Sequence, residues 1–454
     1  MSLSRFRRVV VAASAATLSL GLISTGVVTS ATGAATSGPG VSPTQITIGA
    51  TVPLSGIAKS YAEVSATAAA VFKYVNSKGG VNGRKINYIR KDDCYDIANF
   101  DATCTAGSKS SSLTAVQTTA LLGTPGGILG TVGSLGTTAQ DSVQKSLNLA
   151  KVPQLFVSSG ASDWNQPTKY PYTFGFQTSY KVEGKIFAKY IKANFKNAKV
   201  AFIGQSDFGP AGLAGLKAGG VNPVNSSATQ FYSSADVFLG TADIQKDVLA
   251  VRTSGATVVV LDSIPAFTQA ILHYAVSDSL SNVHWVISSV GSDPVAVNDK
   301  LEVGAITLDF FPSTNAPTNK WNIWLRKVLT ADHTDFPGFN SATHLDGNEQ
   351  YGAAYAVAFL EALKTLGANV SRTGIQKAMT TAAMTTQAVV PLKYSSANHQ
   401  GLLGGVIAVV APNGTSVPWT VNEPSTTTYL STDANSSAVT TSHVVTSAIP
   451  SWLS

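Results

Sequence analysis

Residues 46–56, ITIGATVPLSG, and residues 75–86, VNSKGGVNGRKI, carry the pattern on which the fold prediction depends. The first stretch is rich in β-branched and apolar residues and ends in a Pro/Ser/Gly turn, which predicts a strand over Ile46–Val52. An Ala-rich helix is predicted over Ser60–Ser77, because the Gly-Gly of the second stretch interrupts it. A second strand is predicted over Lys85–Lys91. Strand, helix, strand is the repeating unit of a parallel sheet covered by helices.

The same alternation continues through most of the chain. Further helices are predicted over residues 98–122, 137–149, 182–195, 210–218, 244–252, 266–277, 318–329, 350–366 and 373–381. Further strands are predicted over residues 128–132, 153–157, 199–204, 230–232, 257–261, 283–288 and 305–311. Two successive sets of strands and helices meet near Thr178. The predicted fold class is therefore α/β, with two doubly wound parallel sheets.

The end of the chain has a different pattern. Gly405–Val410 and Val417–Val421 are predicted to form a β-hairpin, because Asn413-Gly414 between them suits a tight turn with positive φ. From Glu423 the chain is rich in Ser and Thr, and we expect little regular structure there.

The composition excludes several classes of protein. Of the 454 residues, 44% are hydrophobic and only 12% are charged, about half the usual charged share. The net charge is +6, and it would be +3 without the N-terminal segment that contains Arg5, Arg7 and Arg8. So weak and scattered a charge argues against a nucleic-acid partner.

The N-terminal residues have the pattern of a secretory signal peptide. Basic residues come first, Val9 to Val28 is apolar with interspersed Ser and Thr, and small residues follow over Ala31–Ala35. The alternative is a retained membrane anchor. No Cys follows the apolar run, so no lipid anchor is evident, and no later stretch is long and apolar enough to span a bilayer. We expect an exported protein, periplasmic or extracellular.

Motifs of catalysis are missing from the sequence. It contains no Gly-x-Ser-x-Gly, no P-loop and no dinucleotide fingerprint. The six histidines are isolated, and Asp92 and Asp93 are adjacent on a strand, so their side chains point to opposite faces. We predict no catalytic residue, no metal site and no cofactor.

Two cysteines, Cys94 and Cys104, are present. An even, nearby pair in an exported protein favours a disulfide, and the alternative is two thiols that lie too far apart to be bridged.

Seven blocks of the chain resemble, in order, the type I periplasmic binding proteins of the leucine/isoleucine/valine-binding branch. These blocks are residues 46–56, 75–86, 92–96, 127–134, 152–162, 202–209 and 405–419. The Ser55-Gly56 turn and the glycines of residues 79–83 are the most specific, and the resemblance covers about residues 41–419.

The resemblance implies two doubly wound lobes joined by three hinge strands, with a ligand cleft between them. The corresponding domain prediction is a signal peptide over residues 1–35, a flexible segment over 36–43, lobe 1 over 44–177 plus 308–388, lobe 2 over 178–307 plus 389–422, and a Ser/Thr-rich tail over 423–454.

Polar loops that follow the strands of the first set suggest where a ligand binds. In open α/β sheets, ligands bind beyond the carboxyl ends of the strands, and short loops that lead into helices suit a carboxylate. By resemblance, Ser134, Gly160, Ala161 and Ser162 contact the ligand's carboxylate and ammonium groups. The alternative is that the serines are simply helix N-caps, and we favour binding because three such loops converge.

Two aromatic positions match residues that close over the ligand in the family, Tyr61 and Phe208. The alternatives are an ordinary surface aromatic for Tyr61 and a core residue for Phe208.

The chain also departs from the family. The acidic residue of the second lobe that receives the ammonium group has no clear match, and Asp262 or Asp293 is the candidate substitute. The family's partner for the first cysteine is replaced by Gly133, so the resemblance leaves Cys104 as the partner of Cys94.

The functional expectation is an extracytoplasmic solute-binding protein of an ABC importer. It would capture a small polar solute, such as a branched-chain or other amino acid or a related amide or carboxylate, and dock on permease subunits in the membrane. The first alternative is a sensory or regulatory module of the same fold. The second is a secreted hydrolase.

Overall fold

The computed structural model describes residues 38–107, 109–110, 112–234, 242–277, 280, 282–292, 302–314, 316–340, 343, 345–412, 419–422, 427–431, 439–443 and 446–453. The predicted signal peptide, Asp293 and the Asn413-Gly414 turn lie outside these residues.

Helices and strands alternate as the sequence predicts. The helices are α1 (Ala62–Ser77), α2 (Leu113–Leu122), α3 (Thr137–Leu149), α4 (Tyr180–Asn194), α5 (Gly209–Ala218), α6 (Ala242–Thr253), α7 (Pro265–Ser277), α8 (Lys320–Ala331), α9 (Gly347–Thr365) and α10 (Arg372–Thr381). The strands of the first half are β1 (Gln45–Val52), β2 (Lys85–Asp92), β3 (Thr131–Val132), β4 (Gln154–Val157), β5 (Thr173–Gly175), β6 (Val200–Gln205), β7 (Thr229–Tyr232), β8 (Val258–Asp262) and β9 (His284–Ile287). The remaining strands are β10 (Ile306–Asp309), β11 (Leu392–Ser395), β12 (Asn398–Leu402), β13 (Gly404–Pro412), β14 (Trp419–Asn422), β15 (Thr427–Leu430) and β16 (Thr440–His443).

The first lobe is built on a parallel sheet of order β2-β1-β3-β4-β5. All residues of β1 after Gln45 are buried, as in a strand covered on both faces. One face of α1, including Val64, Val71 and Phe72, is buried. It packs against α9, where the ring of Phe72 meets that of Phe359 edge-on at 6.0 Å.

The second lobe is built on a sheet of order β16-β15-β13-β10-β9-β8-β6-β7, with β14 paired to β13. Its strands β6 to β10 run parallel, whereas β13 pairs antiparallel with β10 and with β14. The predicted hairpin strands are thus confirmed. The α/β fold class with two parallel-sheet lobes is confirmed as well.

Three crossings connect the two lobes. The chain leaves the first sheet after β5, leaves the second sheet after β10, and returns to it between β12 and β13. We call these crossings the hinge. Each crossing runs beside the carboxyl ends of strands, so hinge residues border the space between the lobes.

The helix predicted over residues 98–122 is wrong in its first half, since only Leu113–Leu122 is helical. Carboxylates bind the backbone there instead: Asp101 accepts hydrogen bonds from the amides of Ile57 at 2.7 Å and Thr103 at 2.8 Å. The Cys94–Cys104 disulfide closes the same loop and confirms the predicted pairing.

The end of the chain is more ordered than the sequence predicts. Strands β15 and β16 extend the second sheet. Residues 446–453 return to the first lobe, where the indole of Trp321 donates a hydrogen bond to the carbonyl of Ser447 at 2.7 Å and Leu453 is fully buried.

Among the residues that the structure describes, no helix combines the length and the apolar character needed to cross a membrane.

Candidate functional site

A cleft lies between the two lobes, at the carboxyl ends of their strands. It encloses about 1130 Å³ of empty space, counting the open solvent at its mouth. The loops that follow β3, β4, β6, β8, β9 and β10 all contribute lining residues. This is the position at which open α/β sheets bind ligands.

The first lobe presents a small polar corner to the cleft. Thr137 is the first residue of α3, and its Oγ1 lies 2.8 Å from the Oγ of Ser159. The N-cap residue of α3 is Gly136, which offers no side chain to the first-turn amides. An uncapped helix N-terminus beside two hydroxyl groups favours an anionic group such as a carboxylate.

Aromatic side chains form much of the wall. Tyr61 and Tyr95 line the cleft from the first lobe, and Tyr180 and Phe208 line it from the second. The rings of Tyr180 and Phe208 are stacked, with their centroids 4.7 Å apart. These rings provide an apolar surface for the hydrocarbon part of a ligand.

Hydrogen bonds join the lobes across the cleft. The hydroxyl of Tyr61 donates to the carbonyl of Val290 at 2.6 Å, and that of Thr138 donates to Asp207 at 3.0 Å. The described conformation is therefore one in which the lobes touch.

A buried carboxylate holds the second-lobe loop that contains Val290. Glu183 accepts hydrogen bonds from the amide of Ser289 at 2.6 Å and from its hydroxyl at 3.2 Å. Burial raises the pKa of Glu183 to about 7, although both bonds to Ser289 oppose that rise.

Four residues on or beside the hinge, Gln177, Thr307, Asp309 and Tyr351, form what we call the hinge floor of the cleft. The hydroxyl of Tyr351 donates to Oε1 of Gln177 at 3.1 Å. The Nε2 of Gln177 and the Oγ1 of Thr307 are buried and have no hydrogen-bond partner among the described residues. Buried polar atoms in this position point to a group that a bound ligand supplies.

Asp309 brings a negative charge to the hinge floor. Its Oδ1 accepts hydrogen bonds from the amides of Phe310 at 2.7 Å and Phe311 at 3.1 Å. Burial raises the pKa of Asp309 to about 6, and these two bonds oppose that rise.

The charged side chains that line the cleft are acidic. Within the described part of the chain, no Lys, Arg or His lines the cleft, whereas Asp309 and Asp346 do. Asp346 caps α9 in a reciprocal arrangement with Glu349. The described residues also contain no group of His, Cys, Asp and Glu side chains that could hold a metal ion.

A family model matches part of this chain, and several solved structures share its architecture. The family model described as "Periplasmic binding protein" matches residues 45–105. The structure of a fatty acid ABC transporter substrate-binding protein from Thermomonospora curvata is 18% identical, with a TM-score of 0.70 over 87% of this chain and 95% of the other. No curated protein matches the sequence.

Two similar structures contain ligands. A branched chain amino acid ABC transporter protein from Thermus thermophilus with bound valine is 18% identical, with a TM-score of 0.65 over 85% of this chain and 97% of the other. A solute binding protein of an ABC transporter from Rhodopseudomonas palustris BisB5, in complex with 3,4-dihydroxy benzoic acid, is 16% identical, with a TM-score of 0.63 over 86% and 97% of the two chains.

This chain has the type I periplasmic binding protein fold. Of the binding residues predicted from the sequence, Tyr61 and Phe208 line the cleft of this fold. Asp293 lies outside the described residues.

The remaining predicted residues lie behind the cleft surface, and their neighbours line it. Ser134 is 1% exposed, and its hydroxyl accepts a hydrogen bond from the amide of Thr51. Gly160 packs against Tyr180, and Ala161 is buried, whereas Ser158 and Ser159 line the cleft. The loops named from the sequence thus reach the cleft, but the residues of these loops that line it are neighbours of the predicted ones.

Ser162 and Asp262 also do not line the cleft. Ser162 is exposed at the start of a short 3-10 helix. Asp262 is buried beside the backbone of Gly212, where burial and the nearby charge of Glu183 raise its pKa.

The sequence analysis did not select the hinge floor or Thr137. Strand-end position is the signal that was available for Asp309 and Thr137, since Asp309 ends β10 and Thr137 follows β3. No sequence pattern marks Gln177, which becomes a lining residue only because a hinge crossing borders the cleft.

Proposed function

We propose that the protein is an extracytoplasmic solute-binding protein that captures a small polar solute between its lobes and delivers it to an ABC importer. The observation that carries the proposal is the cleft at the carboxyl ends of both sheets, spanned by the bond between Tyr61 and Val290. Export, and docking on permease subunits, belong to the same proposal.

The lining supports an amino acid or a related carboxylate or amide as the solute class. The polar corner of Thr137 and Ser159, with the N-terminus of α3, suits a carboxylate or carbonyl group. The aromatic wall suits an apolar side chain. Similar structures include a fatty acid ABC transporter substrate-binding protein and proteins with bound valine and 3,4-dihydroxy benzoic acid, all consistent with a solute that combines these two properties.

The test is a panel of solutes screened by thermal shift and confirmed by calorimetry. The panel contains amino acids, amides, organic amines, short and long carboxylates and aromatic acids. We expect one chemical class to raise Tm and to bind without being converted, since a ligand specific for the native state stabilises it. Lack of binding by every class, or turnover of a bound solute, would contradict the proposal.

A pair of variants tests whether the solute binds in the cleft. Thr137→Val removes one hydroxyl of the polar corner and should weaken binding of the solute identified by the panel about tenfold. The matched control is Thr119→Val on the exposed face of α2, which should leave the affinity unchanged. Equal affinities for both variants would show that the solute binds outside the polar corner.

A further inference from the structure

Asp309 carries a charge that its structural role does not require. One carboxylate oxygen, Oδ1, makes both hydrogen bonds to the amides of Phe310 and Phe311. An asparagine at this position would stabilise the same turn through its own side-chain oxygen, without burying a charge.

The second oxygen, Oδ2, has no hydrogen bond or ion pair among the described residues. Within the described part of the chain, no basic side chain lines the cleft and no ion pair includes Asp309. Burial accordingly raises the pKa of Asp309 to about 6, which leaves the group mostly ionised at pH 7.5. Asp309 is half-buried, and a half-buried carboxylate at a cleft surface without a cationic partner is a candidate for binding a cation.

The neighbours of Asp309 suit an organic cation. Phe310 and Phe311 follow it and line the cleft, and the ring of Phe311 meets that of Tyr351 edge-on at 6.1 Å. Aromatic faces attract ammonium groups through their ring quadrupole, and the attraction is stronger when water is excluded.

Two polar atoms of the hinge floor that have no hydrogen-bond partner among the described residues also point to a bound ligand. The Nε2 of Gln177 and the Oγ1 of Thr307 are buried and face the same cleft as Asp309. Tyr351 joins these elements, since it bonds to Gln177 and its ring contacts Phe311. A ligand group that bears both a charged nitrogen and an adjacent polar atom would satisfy this set.

We infer that the hinge floor binds a cationic nitrogen of the solute, an ammonium or substituted amine, with Asp309 Oδ2 as its partner. The inference rests on the proposed function and narrows the solute to molecules that carry an amine, with Gln177 and Thr307 bonding to a polar atom beside the nitrogen. The site lies on the hinge, apart from the polar corner of the first lobe.

The experiment sorts the solute panel by charge and uses the full-length exported protein at pH 7.5. L-leucine, 3-methylbutylamine and 4-methylpentanoate form a set in which the same isobutyl group is joined to both charged groups, only the cation, or only the anion. Choline, arginine, a benzoate and a fatty acid extend the range. We expect every solute that binds to carry a cationic nitrogen, and Asp309→Asn to weaken each by at least about tenfold.

The control is Asp243→Asn, which removes an exposed carboxylate from the first turn of α6 and should not change the affinities. Asparagine at position 309 keeps the acceptor for Phe310 and Phe311, and an undiminished Tm of the variant will show that it folds. A carboxylate without an amine binding most tightly, or an amine bound equally by Asp309→Asn, would overturn the inference and leave the proposed function standing. Failure of every solute to bind would contradict both.

Discussion

At the scale of single residues, Tyr61 forms a direct bond between the lobes. Its side chain lies on the first lobe, and its hydroxyl donates to the carbonyl of Val290 on the second. A ligand that binds between the lobes favours the conformation in which they touch, so each bond that stabilises this conformation adds to the affinity.

We predict that Tyr61→Phe weakens solute binding about five- to tenfold, because it removes one hydrogen bond worth about 1 kcal/mol from the closed form. Calorimetry with the solute identified by the panel measures the change. The matched control is Tyr190→Phe on α4, a half-buried tyrosine outside the cleft lining. The prediction fails if both variants bind as the wild type does.

At the scale of elements, α4 and α5 pack unusually closely because glycines lie at their contact. A Cβ on Gly184 would collide with the carbonyl of Gly212, and one on Gly215 would collide with the carbonyl of Lys181. These helices flank the second sheet, and α4 supplies both Glu183 and Tyr180 to the site.

Gly215→Ala should therefore destabilise the protein by about 1–3 kcal/mol, since overpacking against backbone outweighs the better helix propensity of Ala. We expect Tm to fall by about 1–4 °C. Gly123→Ala is the control: it ends α2, and the nearest atom to its Cβ would be 3.5 Å away, an ordinary contact. A Tm for Gly215→Ala as high as that of the control would show that the helices separate without cost.

The elements also show what the sequence predicts well. Strand β1 and helix α3 were predicted within one residue, because burial on both faces and a clear start after Gly136 mark them locally. Residues 98–112 were not, because contacts with the loop after β1 hold them in a non-helical form: Asp101 accepts from the amide of Ile57, and the amide of Thr105 donates to the hydroxyl of Ser55. Strands β15 and β16 were missed because a Ser/Thr-rich sequence does not by itself predict a strand. Here β15 pairs with the edge of β13, and β16 pairs with β15.

The same division applies to the residues that line the cleft. Tyr61 and Phe208 were named from the family resemblance, and the loops after β3 and β4 were named from the ends of predicted strands. Which residue of a loop faces the cleft depends on the backbone turn, and the part played by Gln177 and Asp309 depends on where the hinge crosses. A local sequence pattern predicts neither the orientation of a loop residue nor the position of a hinge crossing.

At the scale of the whole molecule, several buried carboxyl groups keep protons that they would release in the unfolded chain. Burial raises the pKa of Glu183 to about 7, of Asp93 to about 8 and of Glu349 to about 9. The folded protein then binds more protons than the unfolded chain above about pH 4, so stability falls as pH rises through these values.

We predict that Tm is several degrees lower at pH 9 than at pH 6.5. Burial lowers the pKa of His399 to about 4, so this residue affects stability only below about pH 6.5, outside this window. Asp93→Asn should flatten the decline between pH 7 and 9, since it removes the group that titrates near 8. A Tm that is constant or rises over this range would contradict the prediction.

The central claim is that the cleft retains a small solute. The most direct measurement is mass spectrometry of the small molecules that the exported protein releases on denaturation, after equilibration with the solute panel and gel filtration. We expect one amine-bearing solute in near-equimolar amount from the wild type, and a much smaller amount from Thr137→Val and Asp309→Asn. Release of no panel solute from the wild type, or the same yield from all three proteins, would contradict it.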